Sequence, residues 1–172
     1  QEDELIAKTI ALTHDIGRFQ QFITYRTFDD RLSVNHAQFG VGILNETGFF
    51  NGFVDDKLQA LIIQSILNHN VPVIEPRFDE RIMLFSRILR DADKLDIWEL
   101  LTERNLAHTL LDEKEPDEYE VPAAVYECYL NQQVVPFVHA KTMNDYRLLR
   151  LSWIYDMNFV ATYHLIRERD YA

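Results

Sequence analysis

Apolar residues recur along most of this chain at three- and four-residue intervals, the spacing that lines one face of an α-helix. Leu5, Ile6, Thr9, Ile10 and Thr13 form such a face over residues 2–13, and Gly17 stands where a left-handed residue closing that helix is expected. Residues 18–34 (RFQQFITYRTFDDRLSV) show no clear period and read as a loop with at most one short turn. Asn35 is placed to cap a helix over about 36–46, which carries Ala37, Phe39, Val41, Ile43 and Leu44. Beyond the breaks at Gly48 and Gly52, Asp55 or Asp56 opens a third helix, with Leu58, Leu61, Ile62, Ser65, Ile66 and His69 on one stripe. A longer period runs from Asp79 to about Arg104 through Ile82, Phe85, Ile88, Leu89, Ala92, Leu95 and Trp98. The acidic stretch Asp112–Glu120 reads as a solvated connection, and Pro122 precedes a short helix over 123–131. Thr142 or Asn144 opens a last helix to about residue 169, whose apolar residues spread over a wide face that suits burial on several sides or a homodimer contact. The pattern predicts one all-α domain, a helical bundle spanning residues 1–172.

Composition narrows what such a bundle can do. Seventeen basic against 28 acidic residues give a net charge of −11, which disfavours a nucleic-acid polymer or an anionic membrane as partner. An apolar fraction of 47% argues against disorder, and no apolar run reaches the roughly 18 to 20 residues of a membrane span. Nothing has the character of a signal peptide, and Cys128 as the only thiol rules out an internal disulfide, so a cytoplasmic location is expected.

The chemistry-bearing residues are polar groups on otherwise apolar faces: His14 and Asp15 at the end of the first helix, His36 at the start of the second, His69 at the end of the third, and Asp91 and Asp93 within the fourth. Burying an imidazole or carboxylate without a partner is costly. Four helices that each turn such groups inward suggest one shared partner, and a divalent cation satisfies both chemistries together. Neighbouring helix positions point about 100° apart, so His14 and Asp15 share an ion only if it lies close to the backbone at the helix end. A mixed His/Asp set suits Mn, Fe, Co, Ni or Mg better than a structural zinc, which recruits thiolates.

The segments ALTHDIGRF, VNHAQFGVGILNE, SILNHN and RDADKLD, in that order, resemble the HD-domain superfamily of metal-dependent phosphohydrolases over residues 1–98, leaving 99–172 as a helical extension packed on that core. The resemblance implies an all-α fold and hydrolysis of a phosphorylated small molecule, a nucleotide foremost. It places the paired metal ligands on His14 and Asp15 and the distal carboxylate ligand on Asp93, with His36 and His69 holding a second ion or substrate phosphate. It also implies a further histidine ligand upstream of the His-Asp pair. Residues 1–13 contain none and the chain opens on Gln1, as expected of a copy trimmed at its N-terminus.

Within that scheme an ion-activated water attacks phosphorus, Asp91 serves as general base or orients a ligand, and Arg18 and Lys94 neutralise charge on the phosphoryl oxygens. Each role has a plainer counterpart: Asp91 pairing with Arg87 or Lys94, Asn35 and His36 acting only as a helix start, His69 favouring a helix C-terminus. Phe22, Tyr25 and Phe28 either pack or stack on a base as a lid, while His108, His139 and His164 are assigned to structure. A regulatory domain that binds nucleotide or metal without turnover is the alternative reading.

Overall fold

The computed structural model describes residues 1–103, 121–169 and 171, so His108 and the acidic stretch 112–120 lie outside the described residues. Among the described residues the fold is all-α, with no strand. The chain divides into two compact units, Gln1–Arg90 and Asp91–Ala172, with the division inside a helix.

The first unit is built from α1 (Glu2–Thr13), α2 (Ile16–Tyr25), α3 (His36–Glu46), α4 (Asp56–Leu67) and the first part of α5 (Glu80–Glu103). Its core joins Ile6 and Ile10 of α1, Val41 and Leu44 of α3, Leu61, Ile62 and Ile66 of α4, and Phe85 and Leu89 of α5. Burial of each of these side chains favours folding by about 1.5 to 3 kcal/mol. As the spacing predicts, Asn35 accepts a hydrogen bond from the Gln38 amide at 3.0 Å and Asp55 from the Leu58 amide at 2.7 Å, closing the starts of α3 and α4.

Two expectations for this unit are corrected. Residues 16–25 form a helix instead of a loop, because α2 turns Gly17 and Gln21 inward and leaves Phe19, Phe22 and Ile23 exposed. Its inner face is held by polarity: Gln21 is fully buried and its amide donates to Asp30, Ser33 and the Val34 carbonyl. Gly17 is not a left-handed terminator. It is the point where α2 meets α3 backbone to backbone, and a Cβ there would overlap the carbonyl oxygen of His36 and lie 2.7 Å from the Gly40 nitrogen. Gly17→Ala is therefore expected to lower stability in urea unfolding by about 2 kcal/mol, as overpacking does, since the obstructing atoms are backbone and cannot rotate away.

The second unit contains the rest of α5, α6 (Ala123–Leu130), α7 (Met143–Ser152) and α8 (Val160–Glu168), with short 3₁₀ turns at Phe137–His139 and Trp153–Asp156. Thr142 and Asp145 cap α7 reciprocally. The single long helix expected from 142 to 169 is broken between residues 153 and 159. Its wide apolar face, the basis for expecting a homodimer, is divided between two cores. Leu149 joins Val125, Val135 and Ala140. Met157 and Ile166 join Leu95 and Trp98. No helix among the described residues is long and apolar enough to cross a membrane.

Candidate metal centre

His14 and Asp15 occupy the two-residue turn between α1 and α2. The His14 Nδ1 lies 2.8 Å from the Ala11 carbonyl, so Nδ1 carries the hydrogen in the neutral ring and Nε2, 3.6 Å from Asp15 Oδ2, presents its lone pair. His69 follows the C-terminus of α4 and repeats the arrangement, with Nδ1 2.6 Å from the Ile66 carbonyl. Arg90 fixes this segment by donating from Nη1 to the carbonyls of Asn68 and His69, each at 3.3 Å. His36, the first residue of α3, directs Nδ1 to Asp30 Oδ2 at 2.7 Å.

With each Nδ1 on an oxygen, the opposite nitrogens converge. His36 Nε2 and His69 Nε2 are 2.9 Å apart, and Asp15 Oδ1 is 3.3 Å from the first and 3.9 Å from the second. One ligand atom each from His14, Asp15 and His69 lies within 4.8 Å of the others. Two imidazole lone pairs facing each other at that range need a cation between them, a proton or a metal ion. Burial lowers the His36 pKa, and the Arg18 charge lowers it further against the pull of Asp30 and Asp15, so the ring favours the neutral form a metal requires. Asp15 Oδ1 is buried and accepts no hydrogen bond, which fits a position facing an ion. Donors about 2.0 to 2.2 Å from one ion sit roughly 3 to 4 Å from one another, and the His36, His69 and Asp15 atoms lie 2.9, 3.3 and 3.9 Å apart.

Arg18 lies beside the cluster. Its Nη1 donates to Gln21 Oε1, the Phe28 carbonyl and Asp30 Oδ1 at 3.1, 2.6 and 3.0 Å, and its Nε is 3.6 Å from Asp15 Oδ1. Burial raises the Asp30 pKa, yet hydrogen bonds from Gln21 and His36 and the charges of His36 and Arg18 outweigh it and hold the carboxyl below its ordinary range.

The remaining candidates belong to the second unit. Asp91 is buried and accepts hydrogen bonds from the Asn158 and Phe159 amides, the Asn158 side chain and the Thr162 hydroxyl. It pairs with neither Arg87 nor Lys94 in these contacts; it holds the residues that lead into α8 and the Thr162 side chain in its first turn. Lys94 forms an ion pair with Asp156, and Asp93 is half-buried on α5. Phe22 belongs to α2, and its ring stacks on that of Phe28 with centroids 4.8 Å apart, so these two aromatics pack on each other. Nothing in the sequence marks Asp30, Gln21 and Asn70. They sit in or against a stretch without apolar period, and a polar contact across a loop leaves no periodic trace.

An all-α unit whose helix ends gather three imidazoles and a carboxylate has the character of a metal-binding domain. The chain matches the HD domain family over residues 1–98, more than half its length, and belongs to that family, one of metal-dependent phosphohydrolases. No curated protein and no solved structure matches the chain significantly.

Proposed function

We propose that this chain hydrolyses a phosphorylated small molecule, a nucleotide foremost, with a divalent metal held at the His/Asp cluster. The observation that carries the reading is the convergence of His36 Nε2, His69 Nε2 and Asp15 Oδ1 within 3.9 Å, each histidine turned there by an oxygen on its other nitrogen. His14, Asp15, His36 and His69 hold the ion or ions. When bound, a divalent ion makes a water more acidic and draws charge from a phosphoryl oxygen.

The chain's own residues do the rest. Arg18, tethered through Nη1 next to Asp15, sets a fixed positive charge against the developing charge on phosphorus-bound oxygens. The nitrogen-rich donor set favours Mn, Fe, Co or Ni over Mg. Cys128, a free thiol, suits the cytoplasm. A regulatory domain without turnover is the second reading, favoured by one observation: Asp91 and Lys94, the candidates for proton and charge work, are both engaged by partners in the second unit.

Elemental analysis of the purified full chain, with a panel of phosphomonoesters and nucleotides assayed with and without chelator, separates these readings. The expected result is bound transition metal and turnover that chelation removes and Mn²⁺ or Co²⁺ restores. Saturable nucleotide binding in calorimetry with no product under any metal moves the assignment to the regulatory domain. A chain that neither retains an ion nor binds a phosphorylated compound overturns both.

A further inference from the structure

The connection between α2 and α3 contains a carboxylate that nothing so far gives a task. Asp30 divides its two oxygens between two functional groups. Oδ2 takes the His36 Nδ1 at 2.7 Å and the His36 backbone amide at 3.3 Å, while Oδ1 takes Arg18 Nη1 at 3.0 Å. The residue is itself pinned by the buried Gln21, whose Nε2 donates to Oδ1 at 2.9 Å, and by Asn70 Nδ2 at 3.4 Å from Oδ2.

We propose that Asp30 is a positioning residue that couples the His36 imidazole to the Arg18 guanidinium, so that metal binding and phosphate binding share one anchor. This rests on the metal-centre reading above. The consequence for His36 is direct: a carboxylate on Nδ1 fixes the tautomer, turns Nε2 toward His69 and Asp15, and makes that nitrogen a better electron donor. The consequence for Arg18 follows from competition. Two carboxylates lie within its reach, Asp30 at 3.0 Å and Asp15 at 3.6 Å. Neutralising Asp30 leaves Asp15 as the charged partner, and the guanidinium then moves onto a ligand oxygen and opposes the cation. A residue that merely tied down its loop would affect folding and leave both properties alone.

The test compares the full chain with Asp30→Asn, a near-isosteric change that removes the charge. Co²⁺ affinity is measured by titrating its visible absorption, and the His36 tautomer by ¹⁵N NMR of the metal-free chain. The expected result is Co²⁺ binding weakened about 10- to 100-fold, together with His36 losing its fixed Nδ1–H form, at unchanged helicity. Unchanged affinity and an unchanged tautomer in Asp30→Asn overturn the proposal while leaving the metal centre standing. If the unsubstituted chain binds no Co²⁺, the metal-centre reading fails, and the NMR comparison still decides whether Asp30 sets His36. Should Asp30→Asn not fold, the unsubstituted chain decides: His36 protonated at Nδ1 supports the proposal, and His36 protonated at Nε2 overturns it.

Discussion

Asp15→Asn is expected to strip the chain of its divalent ion and to lower phosphoester hydrolysis at least about a hundredfold, the upper end of what a disturbed metal ligand shell costs. The carboxylate stands among three imidazoles, with Oδ1 3.3 Å from His36 Nε2 and 3.9 Å from His69 Nε2, and Oδ2 3.6 Å from His14 Nε2. Asparagine keeps the shape and removes the charge that offsets the cation. Because the side chain is partly exposed and Oδ1 accepts no hydrogen bond, the metal-free fold loses little, within about 0.5 kcal/mol. Elemental analysis and circular dichroism check the two halves of this statement, and a variant that keeps its ion refutes the first.

The second large effect concerns stability. Asp91→Ala is expected to cost roughly 3 to 4 kcal/mol and to lower the unfolding midpoint on the order of 10 °C. The carboxylate receives the Asn158 amide at 3.0 Å, the Asn158 side chain at 2.8 Å, the Phe159 amide at 3.1 Å and the Thr162 hydroxyl at 2.6 Å. Phe159 cannot cap α8 with its own side chain, and Asp91 holds the two residues that lead into the helix and sets a negative charge by its N-terminus, where the helix dipole favours one. Alanine leaves the buried Thr162 hydroxyl and the partly buried amides of Asn158 and Phe159 without this acceptor. A general base predicts something different: activity lost at an unchanged midpoint. Denaturant unfolding and turnover measured on the same preparation tell the two apart.

The sequence revealed helices wherever burial is apolar. α1, α3, α4 and the start of α5 each contribute Ile, Leu, Val or Phe at helical spacing to one core, and their periods are plain. α2 was illegible because its inward residues are a glycine and a glutamine, and an apolar pattern cannot report a face held by hydrogen bonds. The break before α8 was hidden for another reason: no glycine or proline marks it, and its organiser, Asp91, lies 67 residues from Asn158. The same holds at the site. His14, Asp15, His36 and His69 stand out as polar residues at helix ends within an ordered motif, whereas Asp30 acts through a loop contact. The ion pair of Lys94 with Asp156 leaves no trace in the sequence either, because the two lie 62 residues apart.

The close crossing of α2 on α3 gives the proposed metal centre an unexpected weak point. Gly17 has no functional group, yet its bare backbone lies against the carbonyl of His36 and sits two residues from Asp15. A library of random variants screened for ion retention should therefore be pruned as harshly at this atom-poor position as at the proposed ligands, while Phe19, exposed on the same helix, drifts freely.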